Sequence, residues 1–304
     1  MRFRVAALFA LVVLTTACKP AARKAVFVDP ALEIMVPADA TFATGADLDA
    51  IRTTHVFQKY LGQISLPQLD DFTKKTGIDP RKNLWQILSC SNGKTALFMA
   101  RGRFSFNDEE PRIQIEGVKR MGYKGYNLFG NEQSSVIFMN TSTAVAGRTD
   151  DLHTLVDLRN QGTRGFPAAL KEKVASIGHD NQIWAAFTGG LQNVNLGVSP
   201  DSNAGQVLQV MRGIESGTLG ANLKEGFGFE ARLDCKSPND AKHVHDAIKG
   251  VIGLGRLSTP DNQPELLQLY DAIHVKLDQT RVEVTATVPG NLEDKFLDLW
   301  LKKR

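Results

Sequence analysis

Residues Asn83 to Phe104 read NLWQILSCSNGKTALFMARGRF. Two apolar runs flank Ser91-Asn92-Gly93, and Asn-Gly between such runs is the strongest short-range signal for a β-hairpin. A related stretch follows in the second half, Gly217 to Cys235 (GTLGANLKEGFGFEARLDC). There Phe227, Phe229, Ala231 and Leu233 alternate with Gly228, Glu230 and Arg232, the period of a strand with one buried face. Phe98-Met99-Ala100-Arg101 is echoed by Phe229-Glu230-Ala231-Arg232. Two hairpins of one kind in one chain point to a duplicated body.

Working outward, helices and strands alternate around each hairpin. Before the first, a strand is expected near Thr41–Thr44, then a helix from Asp47 to about Gly62 and a shorter one over Pro67–Thr76 that Gly77 stops. After it, Ile113–Met121 reads as a short helix or irregular crossover. Gly122-Tyr123-Lys124-Gly125 turns into a strand at Tyr126–Phe129. A hairpin over Ser135–Met139 and Thr143–Gly147 leads to a helix capped by Thr149 with an acidic first turn, which the helix dipole favours. In the second half the expected order is a helix over Phe166–Ile177, a strand over Ile183–Thr188 and a helix over Ala204–Ile214. The 217–235 hairpin follows, then a helix opened by Ser237-Pro238 and broken after Gly250, a helix over Glu265–Ile273, a hairpin around Gln279-Thr280, and a last helix capped by Asn291. The fold class is therefore α+β: two similar antiparallel-sheet halves with helices packed on one face, ferredoxin-like in general layout. The halves are 26–160 and 166–304.

The first residues carry a different message. Arg2 and Arg4 precede the apolar run Val5–Leu14, which has the length of a signal-peptide core and falls short of the ~20 residues a membrane span needs. Thr15-Thr16-Ala17-Cys18 resembles the lipobox of bacterial lipoproteins, although the usual Leu stands one position early, as Leu14. The resemblance implies a signal peptide over 1–17, lipidation of Cys18, and a tether over 18–25. Lys19 after the cysteine is similar to lipoproteins sorted to the outer membrane, facing the periplasm. An ordinary signal peptide with an incidental Cys18 is the alternative. Together with Gly77-Ile78-Asp79-Pro80, Leu97–Phe104, Gly122–Tyr126 and Ala144-Val145-Ala146-Gly147, the chain resembles a family of uncharacterised bacterial envelope lipoproteins. That resemblance implies a compartment and a fold, and no site.

Composition narrows the function. The chain has 304 residues and a formal charge of +3. Without Arg2 and Arg4 it is nearly neutral, so no overall field draws it to nucleic acid. Beyond Cys18, Cys90 and Cys235 remain as an even pair; an oxidising compartment permits a disulfide between them, but their mismatched places on the two hairpins favour separate buried thiols. His243 and His245 stand two apart, about 200° around a helix, and cannot share a metal from it. Gly250, Gly253 and Gly255 end a helix instead of opening one, the wrong side for a phosphate loop. His153 and His179, beside Asp151 and Asp180, read as cap and loop residues. No nucleophile elbow, zinc-protease or P-loop motif occurs, so neither a catalytic residue nor a cofactor nor a metal is assigned.

One region invites a ligand. Arg101, Arg103, Lys119 and Arg120, with Arg112 and Lys124, form the densest basic stretch. Arg101 and Arg103 are expected on one strand face, where anionic lipid heads or an acidic partner could meet them, but the acidic loop Asp108-Glu109-Glu110 within the same region favours a neutralised, solvated sheet face. The function expected from sequence is thus a non-enzymatic, membrane-anchored envelope lipoprotein that binds or assembles with an envelope protein. Its alternatives are a periplasmic carrier or sensor of a small apolar or anionic ligand, and a hydrolase with an unrecognised site.

Overall fold

The computed structural model describes residues 24–61, 67–105, 113, 115–159, 165–190, 209–260 and 262–302. The expected signal segment, Cys18, Arg112, the acidic stretch at 108–110 and residues 204–208 of the helix expected over Ala204–Ile214 lie outside these residues. The strands are β1 (Phe42–Asp47), β2 (Leu84–Ser91), β3 (Ala96–Gly102), β4 (Lys119–Tyr123), β5 (Tyr126–Gly130), β6 (Ser134–Asn140) and β7 (Thr143–Arg148) in the first half. The second half adds β8 (Ile183–Phe187), β9 (Ile214–Asn222), β10 (Gly226–Cys235), β11 (Ile273–Asp278) and β12 (Arg281–Pro289). All twelve join one antiparallel sheet in the order β11-β12-β10-β9-β8-β1-β2-β3-β7-β6-β5-β4.

This is an α+β fold, but the two expected sheets are one. The seam is the antiparallel pairing of β1 with β8, which sets Phe42 opposite Phe187 and Gly45 opposite Trp184. A side chain at position 45 would intrude on the Trp184 ring, so glycine is what lets the indole lie flat across the seam. Edge strands that would otherwise stand exposed thereby cover one another.

The hairpins form where local chemistry dictates. Between β2 and β3, Asn92 accepts from the backbone N–H groups of Lys94 (2.9 Å) and Thr95 (2.8 Å), and Gly93 takes a φ of +86°. The loop is four residues long, because the Asn92 side chain closes an Asx turn in place of a two-residue turn. Lys124 and Gly125, at φ 45° and 85°, make a two-residue turn whose twist matches the strands it joins. That turn pairs Lys119–Tyr123 as a strand, where a helix or crossover was expected.

The helices are α1 (Pro30–Glu33), α2 (Leu48–Arg52), α3 (Pro67–Thr76), α4 (Pro80–Asn83), α5 (Thr149–Leu158), α6 (Ala168–Ala175), α7 (Pro238–Leu257), α8 (Pro264–Asp271) and α9 (Gly290–Lys302). Asp47 caps α2 by accepting from Ala50 N–H at 2.9 Å, but the expected long helix stops after Arg52. The Thr53 and Thr54 hydroxyls each donate to a carbonyl three residues back at 2.7 Å and so compete with the helix ladder. A π-helical turn follows over Phe57–Leu61. Thr149 is the first residue of α5 and not its cap; its hydroxyl donates to Asn131 O at 2.7 Å. Ile214 begins β9, and α9 starts at Gly290, one residue before the expected cap.

The helix after Ser237 is the largest departure. It runs unbroken through Gly250, Gly253 and Gly255 to Leu257. Glycine costs only about 1 kcal/mol in a helix, and Gly255 has a reason to be there: a Cβ would come within 2.6 Å of the Tyr270 ring on α8. Close helix contact, and not a break, explains it.

Each sheet face is covered differently in the two halves. On what we call the front face, Leu88, Cys90, Met99, Val145, Ile137 and Leu128 pack under Leu32 and Val36, under Leu152 and Leu155 of α5, and under Leu170 and Val174 of α6. Strand register carries that face on through Trp184 and Ala186 to Thr218, Glu230, Arg232 and Glu283, which are polar. The back face of the second half is the apolar one: Phe187, Ala231, Leu233, Val282 and Val284 pack under Ala241 and Val244 of α7. The main cores therefore lie on opposite sides of one sheet. Helices occupy both faces, a correction to the single helical face expected.

The chain enters along the front face. Ala25 bridges to Gly178, Val26 N–H donates to Ile177 O at 3.0 Å, and His179 N–H donates to Lys24 O at 2.9 Å. Gln86 then brackets the strap, donating to Phe27 O at 2.9 Å and accepting from Asp29 N–H at 2.7 Å. Lys24 and Ala25 are thus bonded to the sheet-bearing body. Cys90 and Cys235 are free and buried, as expected.

Candidate functional site

The back face of the first half holds an apolar cavity of about 430 Å³. Its floor follows from strand register. Ala100 pairs with Ala144, which pairs with Phe138; Phe98 pairs with Ala146, which pairs with Val136, which pairs with Phe129. Side chains two apart share a face, so these seven residues form one surface. Three alanines sit in the middle of it, ringed by aromatic and branched side chains. The dent they leave is the cavity.

Phe72 and Thr76 of α3, Ile78, Phe104, Ile113, Ile115 and Val118 form the rest of the wall. Phe138 lies 5.5 Å from Phe104 and 5.8 Å from Phe129, ring centre to ring centre, in tilted and edge-on contacts that fix the walls. Among the described lining residues, Thr76 has the only polar side chain. Its hydroxyl donates to Phe72 O at 2.8 Å and accepts from Ile78 N–H at 3.1 Å. No side chain among the described lining residues is left to bond a polar ligand atom, and this lining suits hydrocarbon. Phe98 is 56% exposed and Phe72 39%, so two phenyl rings stand at an open mouth. A pocket of this size and lining falls within the usual range of small-molecule sites, ~300–1,000 Å³.

The basic residues singled out from sequence separate. Arg101 turns to the front face, where it pairs with Asp29 at 2.8 Å and donates to Ser142 O, Ser142 Oγ and Thr143 Oγ1 at 2.5–3.0 Å. Its guanidinium also lies over the Trp85 ring, 5.8 Å from the centroid. Its role is to tie the strap to the sheet. Arg103 lies beyond the end of β3, its N–H bonded to Asn83 O at 2.7 Å, so the two arginines do not share a strand face. Lys124 is held by Asp157 at 2.6 Å. Lys119 and Arg120, adjacent on β4, project to opposite faces. Lys119 shares its face with Met121 and Tyr123, which pack on the front core, whereas Arg120 pairs with Phe129 of the cavity wall.

A second cleft, about 450 Å³, lies on the polar front face of the second half. Its charged groups answer one another: Asn181 bonds Glu230 at 3.0 Å, Arg232 pairs with Glu230 at 3.3 Å, and Lys224 pairs with Asp180 at 2.7 Å. Lys224 holds the Asp180 carboxyl below its usual range. His179 stands 3.5 Å from Asp180 with both side chains about half exposed, an arrangement of a surface pair. His153 is stacked on Tyr123 at 3.9 Å. His245 bonds its neighbour Asp246 at 2.9 Å, and among the described residues no three His, Cys, Asp or Glu side chains cluster as metal ligands.

Sequence reading missed the cavity, although its signal was present. Leu97 and Met99 alternate with Phe98 and Ala100, so β3 is apolar on both faces, and a strand of that kind must be covered twice.

No protein-family model matches the chain, and no curated protein does. Among solved structures, crystal form I of TP0453 aligns with a TM-score of 0.45 at 9% identity, covering 88% of this chain and 95% of that one. Form III gives 0.47 at 11%, covering 87% and 95%. Form IV gives 0.47 at 10%, covering 89% and 97%. Similarity at this level assigns no activity to the chain.

Proposed function

We propose that this chain is a lipoprotein of the bacterial envelope, anchored through Cys18, that acts by binding and takes up the hydrocarbon part of a small ligand in the cavity beneath α3. The single observation behind the ligand is the cavity itself: about 430 Å³ of space with every described lining side chain apolar except an internally bonded Thr76. Burying apolar ligand surface there is worth roughly 25 cal/mol per Å². The lipobox-like Thr15–Cys18 supports the anchor, and Lys19 after the cysteine supports an outer-membrane position facing the periplasm.

Native mass spectrometry of the protein extracted gently from its own cells tests the ligand. An added mass that organic extraction releases as an acyl compound is expected. A bare chain that also fails to bind dodecanoate would sink the reading. For the anchor, Cys18→Ser should release the protein from the membrane; unchanged membrane association and mature mass would refute it.

An envelope protein partner has one observation in its favour. Val251, Leu254 and Leu257 are 51%, 65% and 86% exposed at three-residue spacing along α7. Replacing Leu254 and Leu257 with Ser should abolish a cross-link to a second polypeptide, if that ridge is the contact. The halves are also proposed to be copies of one ferredoxin-like α+β unit. Support comes from matching pairing: β1-β2-β3-β7-β6 in one half and β8-β9-β10-β12-β11 in the other. The opposite placement of the helices weighs against close equivalence.

A further inference from the structure

We propose that the front face of the first half lies on the bilayer that carries the anchor, with Phe27 and Ile34 seated among anionic lipid heads. This rests on Cys18 being lipidated. Phe27 is 68% exposed and Ile34 54%, and their neighbours show where they point. Val26 and Val28 pack into the front core, so Phe27 between them turns outward from the sheet. Leu32, Met35 and Val36 are buried in the same core, and Ile34 among them turns outward too. Both segments flank α6. Val26 N–H bonds Ile177 O just past the end of that helix, and Glu33 pairs with Lys171 in its first half. Lys171 and Ile177 lie about 9 Å apart along the helix direction, so the two outward side chains belong to one patch. Ala168, Ala169 and Ala175 of α6 are exposed in it, and its charges on that helix are Lys171, held by Glu33, and Glu172.

The length of chain before the strap decides what covers this patch. From Cys18 to Lys24 the backbone reaches at most about 22 Å, even fully extended. The strap begins at Lys24 and runs over the front face, so that is the face an anchor on Cys18 holds against lipid. Seating Phe27 and Ile34 between lipid heads removes their apolar surface from water. Charge agrees with the occupant. Residues 19–28 read KPAARKAVFV, with Lys19, Arg23 and Lys24 and no acidic residue, and a basic segment beside an anchor is drawn to anionic lipid. The orientation has a consequence for the cavity. Its mouth at Phe72 and Phe98 is on the back face, so it opens away from the bilayer, and a ligand reaches it from the aqueous side.

The test uses the full-length lipidated protein in vesicles of phosphatidylethanolamine and phosphatidylglycerol. An environment-sensitive fluorophore is attached through Ala169→Cys on α6 or, on the opposite face, through Leu254→Cys on α7, where the side chain is 65% exposed. Cys90 and Cys235 are buried and stay unlabelled. Emission from position 169 should shift to shorter wavelength and be quenched by a nitroxide-bearing lipid, and emission from position 254 should remain that of a label in water. Adding Phe27→Ser and Ile34→Ser to Ala169→Cys should lower the ratio of docked to undocked protein at least about tenfold, the scale of burying one such side chain, with the protein still on the vesicles. A label at 169 that stays in water, quenching at 254, or a serine pair without effect overturns the docking while the anchor stands. Protein from cells that carries no acyl group on Cys18 overturns the anchor, and this inference with it. A thermal midpoint for the serine pair within about 2 °C of wild type establishes that lost docking is not lost folding.

Discussion

Filling the cavity separates its two consequences, instability of the empty protein and affinity for a ligand. Ala146 lies at the centre of the floor, opposite Phe98 on β3 and Val136 on β6. Ala146→Leu adds three carbons directed into about 430 Å³ of empty space, so no backbone shift is needed to admit them. At about 0.8 kcal/mol per buried carbon the ceiling is about 2.4 kcal/mol. The mouth is open where Phe98 is 56% exposed, so roughly half of that ceiling, about 1 kcal/mol, is expected. In a chain of this length the thermal midpoint should rise by about 2 °C. Dodecanoate affinity should fall at least tenfold, because the new side chain occupies the place of the ligand. Circular dichroism melts and calorimetry read the two effects on one sample. A drop in midpoint would mean that the floor is already filled, and an unchanged affinity would mean that ligands bind elsewhere. Either result refutes the reasoning.

Other outcomes follow from the same geometry. Gly45→Val should cost about 1–3 kcal/mol in urea unfolding, because its side chain meets the Trp184 ring across the β1–β8 seam; a neutral result would contradict that pairing. Arg101→Gln should destabilise by about 2 kcal/mol through loss of its bonds to Asp29, Ser142 and Thr143, and should leave dodecanoate affinity as it was. Burial alone would raise the Asp234 carboxyl, but hydrogen bonds from Lys173 and Arg281 outweigh it and leave the folded value below the usual range. That stability is fully present above the unfolded value near pH 4 and is lost as pH falls through the folded one, so Asp234→Asn should flatten the acid limb of stability against pH. Burial pushes Cys90 up to about 12 and Cys235 up to about 11, so neither thiol should react with an alkylating agent at pH 8 until the protein unfolds.

Much of the fold was legible because strands and turns depend on chemical neighbours. Asn92-Gly93 marked a turn whatever the rest of the chain did, and the alternation of Val282, Val284, Ala286 and Val288 marked a buried strand face that the structure retains. Local reading failed where a distant partner decided the outcome. Gly250, Gly253 and Gly255 looked like a helix end, and the helix continues through them with the Tyr270 ring seated against Gly255. Ile113–Met121 lacked a strand pattern of its own, and pairing with β5 made a strand of Lys119–Tyr123. The candidate site was half visible. Arg101 and Arg120 were both marked by charge, but only the structure tells that Arg101 pairs with Asp29 and that Arg120 stands opposite Phe129.

By itself, then, the sequence determined the α+β class and most of the hairpins. Each of these rests on composition or on residues within a few positions of one another. Only the tertiary structure decided that twelve strands make one sheet, that the main cores lie on its opposite faces, and that three alanines from two strands leave a cavity. The β1–β8 seam joins residues some 140 positions apart, as in the bond from Thr44 Oγ1 to Trp184 O. The energy of such contacts comes from pairing and burial, which no local pattern encodes.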